Sequence, residues 1–230
     1  MVAFGRLNLL DFQYQDGEWE ECLAVAEEFI AAAEAGTPHY QDATCLTYRA
    51  LIRLARGQDA LALEDARAAL ERARVIADPQ IVFTQLVVTA FIEDALGDRG
   101  AAEQLVEELE PRRLSSDLVL SVGLPVLDLI ELFGVPGDLA SLEGGRTNTR
   151  FRDAALAYFD GDLLGAAAIY AEIGFRADEA ELRLRAAEQL LRAGRRADAS
   201  EQLDRAVAFH RSVGATRYVR RGEALLAASA

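Results

Sequence analysis

The 230-residue chain contains no lysine: all 24 of its basic residues are arginine. That removes a phosphate-loop lysine, a Schiff-base lysine and a lysine general base from consideration. Histidine is almost as scarce. His39 and His210 lie far apart, and neither has a second histidine or a cysteine at metal-ligand spacing. Cys22 and Cys45 make neither a metal motif nor a disulfide framework and read as small buried thiols. No apolar run nears the roughly 18 residues needed to span a bilayer. The opening Met1-Val2-Ala3-Phe4-Gly5-Arg6 lacks the basic stretch and apolar core of a signal peptide. The expectation is a cytoplasmic protein without membrane contact. There is no Gly-x-Ser-x-Gly elbow, and Gly144-Gly145 has neither a strand before it nor a Gly-Lys-Ser/Thr after it. Acidic pairs such as Glu20-Glu21 and Glu107-Glu108 fall on helical faces as solvated charge. No catalytic residue, cofactor site or metal site is assigned, and the chain is not read as an enzyme.

What the sequence does have is acid. The formal net charge is −14, and residues 1–145 hold 26 acidic residues against 10 arginines. Residues 146–230 hold 12 acids and 14 arginines, without a concentrated basic tract. Nucleic-acid binding needs a local positive potential, so it is not expected. The acidic face serves solubility or selects a basic protein partner.

Repetition is the strongest signal. An apolar helix, a glycine with one or two polar residues and an alanine-rich helix recur around Gly17, Gly57, Gly97, Gly161 and Gly194, with spacings of 40, 40, 64 and 33. The long gap would hold one more, degenerate unit. Setting each glycine as the turn aligns small residues at constant offsets. Around Gly194 these are Ala187, Ala199 and Ala206, with Leu203 as the packing residue. Gly57 gives Ala50, Ala62 and Ala69. Gly161 gives Ala154 and Ala166, with Tyr170 in the packing slot and Ile173 replacing the third small residue. Gly97 gives Ala90 and Ala102, followed by the bulkier Val106 and Leu109.

The physics of that pattern is direct. Glycine accepts the left-handed backbone that ends a helix, a short polar turn sends the chain back antiparallel, and alanine lets two backbones approach without losing helix propensity. Such a hairpin cannot bury its apolar face alone and must stack on neighbours. The expected fold is all-α, a single domain over 1–230. It is a right-handed superhelical solenoid of antiparallel helix pairs, tetratricopeptide-like, with a capping helix near Thr216–Ala228 and an open curved wall. The Val-rich run Ile81–Val88 resembles a strand but continues to Leu96 at helix length. Residues 111–145 read as a degenerate repeat. Pro125 would start or kink a helix there, a short helix fits about Asp138–Leu142, and a hinge falls at Gly144-Gly145. A domain boundary at the same place is the alternative.

In the repeat frame the first helix of each pair lines a groove. Its inward positions are Thr84, Val87 and Phe91 in the third pair, and Asn148, Phe151, Ala155, Tyr158 and Phe159 in the penultimate pair. Aromatic side chains beside an amide suit a peptide partner or a small ligand; the same aromatics would also serve to fill core.

Two late runs carry a resemblance. Asp178-Glu179-Ala180-Glu181-Leu182-Arg183-Leu184-Arg185-Ala186-Ala187 is one, and Phe209-His210-Arg211-Ser212-Val213-Gly214-Ala215-Thr216-Arg217-Tyr218 with Glu223-Ala224-Leu225-Leu226 is the other. They resemble the tetratricopeptide region that ends large bacterial signal-transduction ATPases fused to adenylate/guanylate cyclase or transcription-regulator modules. Gly17-Glu18-Trp19-Glu20-Glu21 and Ile52-Arg53-Leu54-Ala55-Arg56-Gly57 are similar to the same region. The likeness implies a regulatory module that senses a protein or effector for an upstream ATPase or cyclase. It transfers no catalytic residue, because that family's phosphate loop and metal carboxylates precede its repeats.

Overall fold

A computed structural model describes residues 6–7, 9–109, 122–134 and 149–229. Among these, every regular element is a helix. The order is α1 Leu10–Asp16, α2 Trp19–Glu34, α3 Asp42–Ala55, α4 Asp59–Ile76, α5 Pro79–Ala95 and α6 Arg99–Leu109, followed by α7 Leu124–Phe133. Then come α8 Thr149–Phe159, α9 Leu163–Ile173, α10 Arg176–Arg192, α11 Arg196–Ser212 and α12 Thr216–Ser229. Packing is mainly between neighbours in the chain, as an array of helical hairpins requires. No helix among the described residues is long and apolar enough to cross a membrane.

The turns form where the glycines fall. Gly17, Gly57, Gly97, Gly161 and Gly194 all take φ between 73° and 91°, a left-handed backbone that a side chain would strain. The stop after α4 is different. Ala77 ends α4 at φ 58°, and the Asp78 side chain then caps α5 by accepting from the amides of Gln80 and Ile81, with Pro79 in the first turn. Pro125 sits in the first turn of α7 and starts that helix rather than kinking it. The Ile81–Val88 run is helical throughout, inside α5. The last helix begins at Thr216, the expected position.

The small residues lie where helices cross. Ala50, Ala62, Ala90, Ala102, Ala154, Ala166, Ala187, Ala199 and Ala206 are all completely buried, and Leu203 and Tyr170 fill their packing slots. One small residue went unrecognised: a methyl group on Gly222 in α12 would collide with Val207 of α11, so glycine sets how closely the last helix docks. Asp65 of α4 is buried and accepts from Arg49 Nε at 2.9 Å and Arg53 Nη1 at 2.7 Å, tying α3 to α4. Cys22 and Cys45 are free, fully buried thiols, and burial pushes each up to about 12.

The array does not end in an open wall. α10 packs against α1, and α12 against α3. One apolar cluster joins Leu10, Trp19, Cys22 and Ile52 from the beginning of the chain to Ala177, Phe209 and Val213 from its end. The accessible surface is 11053 Å2, near the value of about 10,200 Å2 expected for a compact chain of 25.0 kDa. The open curve expected from the repeats is therefore closed on itself. Of the 111–145 stretch only α7 and its edges are described; the Asp138–Leu142 helix and the Gly144-Gly145 hinge lie outside the described residues.

Candidate functional site

Where the ends meet, the contacts change character. Gln15 Nε2 of α1 donates to Asp178 Oδ2 of α10 at 3.4 Å, and Arg176 Nη1 donates to the Asp16 carbonyl at 3.1 Å. On the other side of the seam, Thr216 Oγ1 donates to the Arg56 carbonyl at 2.7 Å and Arg217 Nε to the Leu54 carbonyl at 3.0 Å. Ion pairs Arg217–Asp59 and Arg56–Glu20 flank these bonds. The Arg176 guanidinium lies over the Phe209 ring, 5.6 Å from its centroid.

Behind this seam is a cavity of about 40 Å3, room for about two or three water molecules. Tyr14, Trp19, Phe91, Phe209 and Tyr218 supply aromatic walls, and Asp178, Glu181, Arg185 and His210 supply the polar ones. Three of those polar side chains are more than nine-tenths buried: Asp178, Glu181 and His210. They sit there because α10 carries Asp178, Glu181 and Arg185 at three- and four-residue intervals, one helical face, and that face turns toward the centre.

The charges are partly matched. Arg185 donates to Asp128 Oδ1 at 2.6 Å and Oδ2 at 2.8 Å, and its Nε donates to Glu181 Oε1 at 2.8 Å. Arg221 of α12 donates to the same Glu181 oxygen at 2.8 Å and to Glu188 Oε1 at 2.6 Å. Burial pushes Glu181 upward, but Arg185 and Arg221 outweigh it and hold the carboxyl below the usual range. Asp178 has no such cation. Its carboxyl is raised to about 7, by burial first and by Asp11 and Asp128 as well, with the Leu124 amide at 3.3 Å and Gln15 offsetting part of the rise. Burial likewise brings His210 down to about 4, so it is neutral at ordinary pH. Its ring stacks on Tyr218 at 4.8 Å between centroids, and neither ring nitrogen has a hydrogen-bond partner. Glu181 Oε2 is also unpartnered.

The groove positions read from the sequence divide between this site and the core. Phe91 lines the cavity. Tyr158 reaches it indirectly, its hydroxyl 2.9 Å from Asp128 Oδ1 and 2.6 Å from Glu131 Oε2, and Asp128 is the partner of Arg185. Val87 and Ala155 are fully buried in the apolar core. Phe151 packs edge-on against Phe175, with centroids 5.0 Å apart, and Phe159 packs edge-on against Tyr158 at 5.3 Å. Thr84 is half-buried, its hydroxyl donating back to the Gln80 carbonyl at 3.1 Å. Asn148 lies outside the described residues. Reading by repeat frame missed Asp128, Asp178, Glu181, Arg185, His210 and Arg221. A signal for the first was present: Asp128 interrupts the apolar run from Val119 to Phe133. Among the described residues no group of three or more His, Cys, Asp or Glu side chains is placed to hold a metal ion.

These features define a class: an all-helical array of sequential hairpins whose first and last members meet around a polar, aromatic-walled cavity. No family model, curated protein or solved structure matches the chain.

Proposed function

We propose that the chain is a non-catalytic helical-repeat module, a tetratricopeptide-like solenoid that regulates by binding, with its two ends separating and rejoining as a partner comes and goes. The observation that carries this reading is the chemistry of the seam. Small, fully buried side chains mark the hairpin crossings, whereas the ends meet, beside their apolar cluster, through backbone carbonyls, partly exposed arginines and a carboxylate without a cation. Exposed ion pairs contribute at most about 1 kcal/mol each, so the polar half of this junction resists parting little, and the apolar contacts of Leu10, Trp19 and Phe209 are what a partner must replace. A partner that binds the parted form better than the joined one shifts the balance by that difference in affinity. The inner faces of α5 and α10, with Phe91 and Tyr218 nearby, are the surface that parting uncovers. By resemblance, the partner is a protein or peptide, with an ATPase or cyclase module of a signalling protein as the specific expectation; added in trans, the chain should change that module's turnover.

Labelling tests the motion directly. Cys22 and Cys45 are buried and unreactive, so spin labels at Glu21→Cys on α2 and Arg220→Cys on α12 report on the two sides of the seam alone. The reading requires a second, longer distance population that grows when the seam is weakened by Arg217→Gln. One unchanging distance in both proteins would mean the ends form permanent core. A second reading, a sensor of a small effector, is favoured by the aromatic-walled cavity at the seam; a saturable thermal shift with one class of small molecule distinguishes it.

A further inference from the structure

We infer that the central cavity is a site for an alkylammonium group, held by the carboxylates of Asp178 and Glu181 and boxed by Tyr14, Trp19, Phe91 and Tyr218. The inference deepens the seam reading and rests on it, because the cavity lies where the two ends meet and takes its walls from both. Three observations converge. Asp178 is buried, with only an amide side chain and a backbone amide, at 3.4 and 3.3 Å, in place of a cation. A buried carboxylate without a counter-charge is costly, and native structures match such groups. Glu181 Oε2 has no partner although its other oxygen carries two arginine bonds. His210, neutral and 98% buried, presents two unpartnered nitrogens, one of which is an acceptor. A positively charged donor is what each of the three lacks.

The walls decide which cation. Aromatic faces attract a cation within about 6 Å, and five aromatic side chains line the space. The volume of about 40 Å3 admits about two or three non-hydrogen atoms. That fits an ammonium tip with one or two methylenes better than the four-atom plane of guanidinium. No lysine of this chain supplies the group, since the chain has none. The occupant is thus either a free small amine or the lysine tip of a partner, the same chemistry from two sources.

Calorimetry and thermal shift at pH 8, where Asp178 is ionised, test the site with methylammonium, guanidinium and sodium chlorides, and with a lysine peptide beside its acetyl-lysine counterpart. Methylammonium should give a saturable upward shift, guanidinium and sodium none. Asp178→Asn, and separately Phe91→Leu, should weaken binding about tenfold while the circular dichroism of each stays helical. Peptide binding lost on acetylation assigns the site to a partner's lysine; binding of the free amine alone assigns it to a small amine. The inference is overturned if methylammonium and the lysine peptide both fail to bind, if guanidinium binds equally, or if both variants bind as tightly as the parent. The spin-label distances separate the two failures. Ends that part without any amine binding sink the ligand alone, whereas amine binding with a fixed distance sinks the seam motion alone.

Discussion

The hairpin crossings and the closing seam solve the same problem, joining two helices, by opposite means. At a crossing such as that of α10 with α11, Ala187, Ala199 and Ala206 pack with Leu184, Leu190 and Leu203, and the three alanines are fully buried. At the seam, Gln15, Asp178, Arg176, Arg217 and Thr216 make long-range hydrogen bonds, and several buried polar atoms are left over. A dry crossing is stable and has one geometry. A polar junction is adjustable, because each bond has an alternative partner in water. The difference teaches where a repeat protein keeps its rigidity and where it keeps its freedom.

The largest expected effect tests whether the polar centre is integral. Arg185→Met keeps the aliphatic bulk but leaves Asp128 without its guanidinium and Glu181 with Arg221 alone. Removing one partner of a largely buried network costs about 3–5 kcal/mol, read by urea unfolding. A loss under about 1 kcal/mol would mean the centre is as solvated as the rim. Next comes the crossing itself. Ala187→Leu forces extra methyl groups between α10 and α11 and should cost about 1–3 kcal/mol in the same assay. A neutral result would show that the crossing tolerates bulk and that the contrast with the seam is unreal.

A third test uses pH. Asp178 is raised from 3.8 to about 7 in the folded chain, so the folded state holds its proton more tightly than the unfolded one. This group's contribution is therefore fully present below the unfolded value, and lost as pH climbs through about 7. Between those limits the slope is at most about −1.4 kcal/mol per pH unit. Asp178→Asn should flatten that portion of the stability profile and be the more stable protein at pH 8. Equal slopes in the two proteins would show that the carboxyl is already hydrated at the seam.

How much of this could be read from residues alone follows the same divide. Crossings are local and periodic: a glycine fixes the turn, and alanines follow at fixed offsets, so Ala50, Ala62, Ala154 and Ala206 were legible before any coordinates. The seam joins residues some 160 positions apart, Gln15 to Asp178 and Arg56 to Thr216, and no spacing rule links them. Closure depends on the summed rotation of several hairpins, and a small change per hairpin decides whether the ends meet. Phe91 and Tyr158 were placed on the inner face by the repeat frame, but what they face is contributed from other repeats. His210 carried no signal in the sequence, because the residues around it, Glu181 and Tyr218, belong to other helices.

The smallest expected effect lies at the rim. Arg217 forms an ion pair with Asp59, whose side chain is 52% exposed, and also donates to the Leu54 carbonyl. Arg217→Gln retains a donor for the carbonyl and removes the charge, so the loss should stay below about 1 kcal/mol and shrink further at high salt. The same substitution nevertheless acts on the balance between joined and parted ends, where a change of only about 0.6 kcal/mol is nearly threefold in population. A variant with almost unchanged urea midpoint but a visibly enlarged long-distance population would place the adjustable element at the seam. A variant that loses several kcal/mol instead would show Arg217 to be as structural as the alanines it was contrasted with, and the two kinds of junction would collapse into one.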